Sequence, residues 1–465
     1  MTGENGRDQD LDPVVAEQVD YIISAFGERG TAIGVVAADG GASYMYAEGH
    51  LVVREEHLGQ VQQMLPQPCT AERVAQGIML VRMDEDASDR QPTVPDLLLR
   101  IDAELGEGIA TPNHVLTVAP VIAPCPATEP QEVYDGIEPS PTVDVDNGGA
   151  GVLVYVADTG LLDGAAANAP WLSGVQGDPD PLPKPLPDGT QPIPPYAGHG
   201  TFVAGVTRCV APQADVYVGN IFNVAGSALE TDFVCKLNAA LDLGVDIFNL
   251  SITAPTRNDL PLVSFAAWLE RARQYKGVVS VVAAGNQGSR LPHWPAAYPG
   301  MVSVGALAAD WRSRADFSNY GGWVDVYAPG RGLVNAYATG TYTCRDAPYV
   351  GQERKFYGMA RWSGTSFSTP VVTGLIAARM SRTGENGQQA AAALLAEAHA
   401  HAIPGVGAVL LPRRLRESAP AQTGLAQRPW PGRNCKPAAR APVFLTLALV
   451  LLLSGVRTSP RSRRS

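Results

Sequence analysis

Short apolar runs alternate with helical patterns along most of the chain. Between residues 151 and 411 these runs show little alternation of polar and apolar positions, as in GVLVYVA at 151–157. Strands that are buried on both faces have this pattern because helices cover both sides of a parallel sheet. We therefore expect a doubly wound, mostly parallel α/β domain over 151–411. Its strands are predicted at 151–157, 215–220, 245–252, 278–284 and 302–306, and its helices at 231–243 and 263–275.

The first part of the chain has shorter runs and more amphipathic stretches. These predict a small α+β domain over residues 1–123, in which a proline near the start of the second helix marks its first turn. Strands are predicted at 31–38, 43–54, 77–83 and 114–122, and helices at 55–65 and 95–105.

Three segments have the composition of linkers or loops. Residues 124–150 are rich in Pro, Asp, Glu and Gly, and 412–440 are rich in Arg and Pro, so both are predicted linkers. Residues 170–195 contain nine prolines and predict a loop inside the α/β domain.

The C-terminal segment 441–456 has sixteen residues without a charge. As a helix it would span about 24 Å, less than the ~30 Å hydrocarbon core of a membrane. Basic residues lie on both sides of it. The segment is therefore either a membrane anchor or a buried apolar tail. The acidic N-terminus has no visible signal peptide, so the sequence leaves both a membrane-associated and a cytoplasmic location open.

Charge and cysteine usage exclude some classes of function. The formal net charge is −11, although the last 55 residues contain eleven basic residues and one acidic residue. An acidic body argues against nucleic acid as a partner. The six cysteines are scattered and form no CxxC pair, and there is no Asp-rich run of ligands. We predict no metal and no cofactor.

Four polar motifs follow strands or begin helices of the α/β domain. They are Asp158 in VADTG, His199 in GHGTFVAG, Asn286 in VVAAGNQG and Ser366 in SGTSFSTPVVTG. Each has an ordinary structural explanation when it is taken alone: a turn aspartate, a structural histidine, a turn asparagine and an N-cap serine.

Together the four residues meet the needs of nucleophilic catalysis. A serine hydroxyl needs a base, the base needs an orienting carboxylate, and the oxyanion needs fixed donors. The chain order Asp, His, Ser is the order known for subtilisin, and Ser366 lacks the G-x-S-x-G elbow of many esterases.

These motifs resemble those of the subtilisin-like serine proteases, the subtilase family, over about residues 151–380. The resemblance implies a serine endopeptidase that acts on polypeptides through an acyl-enzyme. It implies that Ser366 is the nucleophile, His199 the base, Asp158 its orienting partner and Asn286 the oxyanion donor. The alternatives are a catalytically silent, peptide-binding protein with a protease-like fold and, less favoured, an esterase.

The resemblance also implies substrate-binding residues, namely Ser251, Ile252, Thr253, Ala284 and Gly285. The family usually has Gly where this chain has Thr253, which predicts a narrow pocket for a small side chain before the scissile bond. The other histidines receive no role, and His293 is interpreted as structural.

Two further alternatives stay open. Cys209 and Cys235 either form a disulfide or remain buried free thiols. The N-terminal domain occupies the place of the family's pro-region, so it is either an intramolecular inhibitor removed near 124–149 or a permanent accessory domain.

Overall fold

The computed structural model describes residues 13–38, 41–83, 92–118, 127–134, 136–141 and 148–412. All of them belong to one compact unit. The predicted apolar segment 441–456, residues 413–440 of the predicted linker and the end of the predicted strand 114–122 lie outside the described residues. No helix within the described ranges is long and apolar enough to cross a membrane.

The N-terminal part is an antiparallel sheet with helices. The capping box of its third helix, in which Thr93 and Asp96 exchange hydrogen bonds, explains why that helix begins where it does. The predicted helix 55–65 is a 3₁₀ turn followed by a shorter α-helix. The first helix and the third strand were not predicted. The elements are α1 (Pro13–Gly27), β1 (Ile33–Ala38), β2 (Gly41–Arg54), α2 (Leu58–Met64), β3 (Cys69–Ala75), β4 (Ile78–Met83), α3 (Val94–Leu105) and β5 (Ala110–Thr117).

The second part contains the predicted α/β domain together with elements that the pattern did not predict. Its elements are β6 (Leu153–Asp158), α4 (Ala165–Asn168), β7 (Gln176–Gly177), α5 (His199–Val210), β8 (Asp215–Asn220), β9 (Ser227–Leu229), α6 (Glu230–Asp242), β10 (Ile247–Leu250), α7 (Val263–Ala272), β11 (Val279–Ala283), β12 (Val302–Leu307), β13 (Val326–Pro329), β14 (Leu333–Thr343), β15 (Glu353–Trp362), α8 (Thr365–Thr383) and α9 (Gly387–Ala400).

A seven-stranded parallel sheet forms the centre of this part, in the order β13-β12-β11-β10-β6-β8-β7. The central strands β10, β11 and β12 are buried along their whole length, as their unbroken apolar sequences predict. The carboxyl ends of parallel strands share one edge, and ligands of open α/β sheets bind at that edge. The predicted fold class is confirmed.

The two parts are joined through strand pairing. Strand β5 pairs antiparallel with β9, so the N-terminal sheet has the order β3-β4-β2-β5-β9 and ends on a strand of the second part. Thr117, the last residue of β5, also forms an antiparallel bridge with Thr253. The end of strand β5 therefore pairs with one of the predicted substrate-binding residues.

A long antiparallel hairpin, β14–β15, precedes α8. Part of the predicted linker lies against it, because Gln131 pairs with Arg361 and Ser140 pairs with Val334. The proline-rich segment 170–195 contains a 3₁₀ turn at Pro170–Leu172 and the two-residue strand β7, and is otherwise without helix or strand.

Candidate active site

Asp158 and His199 form a buried pair at the edge of the parallel sheet. Asp158 is the last residue of β6, and His199 is the first residue of α5. Their atoms Oδ1 and Nδ1 are 2.7 Å apart, and both side chains are fully buried. The same carboxylate oxygen accepts the N–H of Thr159 at 2.8 Å. Both contacts hold the carboxylate in one orientation toward the imidazole.

Gly200 is the reason that α5 can begin so close to β6. A Cβ atom at this position would lie 2.5 Å from the carbonyl oxygen of Gly160 and 3.2 Å from the Cβ of Asp158. The first distance is shorter than any normal contact, so a larger residue would push the start of α5 away from β6. The glycine after the histidine in GHGTFVAG therefore makes the Asp158–His199 contact possible.

The imidazole of His199 lies among aromatic rings. Trp362 meets it edge-on at 5.6 Å between centroids, and Phe367 lies at 5.2 Å. Its Nε2 atom is buried and has no hydrogen-bond partner among the described residues. Phe367 follows Ser366 in the first turn of α8. Ser366, the candidate nucleophile, is therefore next in sequence to a residue whose ring contacts His199.

Ser366 is buried near the N-terminus of α8, and Pro370 lies one turn further on. Because proline has no N–H, the carbonyl oxygen of Ser366 receives no helical hydrogen bond from it. The hydroxyl of Ser251 donates to that oxygen at 3.1 Å instead. Ser251 also accepts from Asn249 at 3.2 Å, and Asn249 in turn accepts from Thr373. This chain of contacts fixes the start of α8.

Asn286 is held by the residue before Ser366. Its carboxamide oxygen accepts both the N–H and the hydroxyl of Thr365, each at 2.9 Å. Thr365 Oγ1 also accepts the N–H of Gly285 at 3.1 Å. With Oδ1 occupied in this way, the orientation of the amide is fixed and its Nδ2 is the group that can donate. Thr365 thus links Asn286, the candidate oxyanion donor, to Ser366, the candidate nucleophile.

Thr253 contacts a histidine and lies close to Gly285 of the predicted pocket. Its hydroxyl lies 3.1 Å from Nδ1 of His293, and it would lie 3.3 Å from a Cβ on Gly285. His293 is buried, and burial lowers its pKa to about 4, so the ring is neutral at pH 7. His293 was expected to have no site role, yet it fixes the side chain of a predicted substrate-binding residue.

A family model described as the subtilase family matches residues 149–410, which is more than half of the chain. The chain belongs to the subtilase family. The resemblance seen in the four motifs is thereby confirmed.

Two named relatives match this subtilase over about half of the chain. The M-protease of Shouchella clausii (strain KSM-K16) is 31% identical over 242 residues, 49% of this chain and 54% of that protein. Thermitase of Thermoactinomyces vulgaris is 30% identical over 278 residues, 56% of this chain and 84% of thermitase. The chain thus spans only about half of the first relative.

One solved structure supports the fold beyond the peptidase part. Fervidolysin from Fervidobacterium pennivorans, described as a keratinolytic enzyme related to subtilisin, aligns with a TM-score of 0.52 at 18% identity. The alignment covers 81% of this chain and 61% of fervidolysin. At this identity the likeness concerns the fold alone.

Asn319 supports the loop that carries Asn286, although none of the four motifs contains it. Its Nδ2 donates to the carbonyl of Ala284 at 2.8 Å, and its Oδ1 accepts the N–H groups of Gln287 and Ser289 at 3.0 and 2.9 Å. It therefore fixes both ends of the loop that carries Asn286. Nothing in the surrounding sequence DFSNYGG indicates where the amide points.

Asp180 was also missed, because it lies in the proline-rich loop. Its Oδ2 accepts the N–H of Gly198 at 2.7 Å and the hydroxyl of Thr159 at 2.9 Å, so it holds residues next to both His199 and Asp158. Burial raises the pKa of Asp180 to about 6, and the nearby charge of Asp158 adds to this increase. The loop therefore contributes a carboxylate that supports the site.

The structure decides whether Cys209 and Cys235 form a disulfide. Cys209 and Cys235 are both free thiols, so the proposed disulfide is wrong. Cys209 is buried and hydrogen-bonded by Asn335, whereas Cys235 is exposed, so only the first is a buried thiol. Over the described part of the chain, no group of three or more His, Cys, Asp or Glu side chains could hold a metal ion.

Proposed function

We propose that this subtilase is a serine endopeptidase with Asp158, His199 and Ser366 as its catalytic triad. One observation carries the proposal: His199 is held by a fully buried carboxylate at Nδ1, while its buried Nε2 has no partner among the described residues. A buried Nε2 on an imidazole that is oriented by a carboxylate is the atom that a general base needs.

The contact at Nδ1 determines the role of the imidazole. Because Asp158 accepts the Nδ1 proton, Nε2 of the neutral ring is a base. Nε2 takes the proton of Ser366 as that hydroxyl attacks a peptide carbonyl, and Asp158 stabilises the imidazolium that forms. His199 then protonates the leaving amine. In the second half of the reaction, water attacks the acyl-enzyme in place of Ser366, and His199 again serves first as the base and then as the acid.

Asn286 and the backbone N–H of Ser366 are the proposed oxyanion donors. The N–H of Ser366 belongs to the first turn of α8, where helical N–H groups have no intrahelical acceptor and the dipole favours negative charge. Thr365 fixes the orientation of the Asn286 amide beside it. Donors fixed in advance stabilise the oxyanion without the cost of reorganising them.

Residues 251–253 and 284–285 are proposed to line the pocket for the side chain before the scissile bond. Thr253 projects a hydroxyl toward Gly285, and His293 prevents it from turning away. The pocket should therefore accept small side chains such as alanine or serine and reject aromatic ones.

The N-terminal part is proposed to act as an intramolecular inhibitor. Strand β5 pairs with β9 on one side, and Thr117 pairs with Thr253 on the other. An extended polypeptide substrate would need these same backbone edges, because β-strand addition uses unpaired N–H and C=O groups. This supports domain boundaries at about 1–123 and 151–411, with β5 as the inhibitory segment.

The test is a comparison of two serines in the same helix. Ser366→Ala should abolish hydrolysis of casein, whereas Ser368→Ala should retain it. Ser368 is the matched control because it is also buried in α8 and its hydroxyl has no partner among the described residues. Equal activity of both variants would contradict the proposal, and equal loss in both would indicate damage to the helix rather than to a nucleophile.

A further inference from the structure

Asp180 places a buried carboxylate beside the backbone of His199. Its Oδ2 atom accepts the N–H of Gly198, the residue before His199. The same oxygen accepts the hydroxyl of Thr159, and Oγ1 of Thr159 accepts the N–H of Gly200, the residue after His199, at 3.0 Å. One carboxylate therefore fixes, directly and through Thr159, the backbone on both sides of the imidazole.

These contacts supply acceptors that the helix itself does not have. Helix α5 begins at His199 with Gly198 as its N-cap, and a glycine has no side chain with which to cap a helix. The first N–H groups of a helix have no acceptor within the helix, so they need partners from elsewhere. Asp180 and Thr159 provide those partners for Gly198 and Gly200. The place of the His199 ring at the start of α5 therefore depends on this carboxylate.

The proline-rich loop holds Asp180 close to the end of β6. The N–H of Asp180 donates to the carbonyl of Leu161 at 2.9 Å, and the N–H of Leu161 donates to the carbonyl of Asp178 at 2.8 Å. Pro179 and Pro181 lie on either side of Asp180, and each proline ring fixes its own φ angle. The loop thus carries the carboxylate on a backbone that is both paired and conformationally restricted.

The hydrogen bonds of Asp180 do not by themselves require a charge. An asparagine oxygen can accept the same two donors, so a purely structural position needs no carboxylate. Burial raises the pKa of Asp180 to about 6, and the negative charge of Asp158 adds to this increase. A positive charge on His199 has the opposite effect and favours the ionised carboxylate. The charged forms of Asp180 and His199 therefore stabilise each other.

We propose that Asp180 is a positioning residue of this subtilase, which holds the backbone around His199 and, when ionised, stabilises the imidazolium that forms as Ser366 attacks. The inference rests on the proposed function, because it needs His199 to act as the base. Above its pKa, Asp180 supports the proton transfer with its charge as well as its hydrogen bonds. Below its pKa, only the hydrogen bonds remain.

The experiment compares two aspartates of the same loop. The rate of fluorophosphonate labelling at Ser366 is measured in the full-length chain between about pH 5 and 8. Asp180→Asn should be labelled about tenfold more slowly than the unsubstituted chain at the upper end of this range and nearly as fast at the lower end, because only the ionised carboxylate is replaced. Asp178→Asn is the matched control, because the carboxylate of Asp178 accepts from Tyr217 and from the N–H of Asn220 instead. It should be labelled at the unsubstituted rate throughout.

A second pair of variants tests the link through Thr159. Thr159→Ser keeps a hydroxyl between Asp180 and Gly200, whereas Thr159→Val removes it and keeps the branched shape of the side chain. The valine variant should be labelled several-fold more slowly at every pH, and the serine variant should stay close to the unsubstituted rate. Equal rates for the two variants would show that the link does not position the imidazole, which would overturn the inference.

The pH dependence separates a charge that acts on His199 from a structural contact. If Asp180→Asn is slower by the same factor at every pH, or is not labelled at all, the carboxylate is only structural. The inference is then wrong, while the proposed function stands. A pH-dependent loss of the same size in Asp178→Asn would also overturn the inference. If the unsubstituted chain is not labelled at Ser366, the proposed function fails, and the inference fails with it.

Discussion

Two buried pairs of histidine and carboxylate in the described part of the chain differ in one respect. In the first, His199 contacts Asp158 at 2.7 Å, and both side chains are fully buried. In the second, His114 of β5 contacts Glu230 of α6 at 3.1 Å, and their side chains are 1% and 0% exposed. By burial and distance alone, the two pairs look alike.

The difference lies in the remaining atoms of each pair. Nε2 of His114 accepts the backbone N–H of Arg257 at 3.2 Å, and the second oxygen of Glu230 accepts from the backbone and hydroxyl of Ser264. Nε2 of His199 and the second oxygen of Asp158 have no partner among the described residues. The His114–Glu230 pair, with all of these atoms hydrogen-bonded, connects two parts of the molecule. The His199–Asp158 pair keeps Nε2 of His199 available for proton transfer.

The largest expected effect concerns His199. His199→Ala should lower kcat for a peptide substrate roughly 10⁶-fold, since the proposed nucleophile Ser366 would lose its proposed base. His114→Ala is the control, because it alters a pair of similar burial outside the catalytic residues. It should raise turnover, because it loosens β5, the proposed inhibitory segment. Equal losses in the two variants would remove the distinction between the pairs.

The next effect concerns the oxyanion donor. Asn286→Ala should lower kcat by about 10²–10³, or about 3–4 kcal/mol of transition-state stabilisation. Asn286→Asp keeps an oxygen for Thr365 but has no amide donor, so it should lose at least as much. Near-normal turnover in the aspartate variant, measured with the same peptide, would show that the amide only positions Thr365.

The His114–Glu230 pair should contribute to the stability of the fold. His114→Ala leaves Glu230 buried without its histidine, which should lower the free energy of unfolding by about 3 kcal/mol. Urea unfolding in a Ser366→Ala background would measure this without self-digestion. His199→Ala in the same background should lose clearly less, and a larger loss there would reverse the comparison.

Asp180 gives a pH test of the site's support. Its pKa is raised to about 6 from 3.8, so the stability it contributes is complete below the unfolded pKa and is lost as the pH rises through about 6. Asp180→Asn does not titrate. Relative to the unsubstituted chain, the variant should gain of order 1–3 kcal/mol between about pH 4 and 8. Melting curves across this range would check it, and a constant difference would contradict it.

The smallest effect concerns specificity. Thr253→Gly should open the pocket, so that kcat/KM for a peptide with phenylalanine before the scissile bond rises about tenfold relative to alanine. Thr253→Ser keeps the hydroxyl near His293 and should change the ratio less. A profile already dominated by aromatic residues in the unsubstituted enzyme would refute the narrow pocket.

The sequence predicted the parallel sheet and the four motifs because strand burial and glycine-flanked polar residues leave local signals. It missed the hairpin β14–β15, whose pairing joins residues that no local pattern connects. Asp180 was missed for a similar reason, since a proline-rich loop gives no indication of where its carboxylate points. The roles of His293 and Asn319 depend on contacts across 40 and 35 residues of chain, which become visible only after folding.

The central claim is that His199 activates Ser366 through its Nε2 atom. The most direct measurement is the rate at which a fluorophosphonate labels the full-length chain, followed by peptide mapping of the adduct. We predict a single adduct on Ser366 that forms in the unsubstituted chain and is nearly lost in His199→Ala. An adduct on another residue, or equal labelling rates with and without the imidazole, would contradict the account.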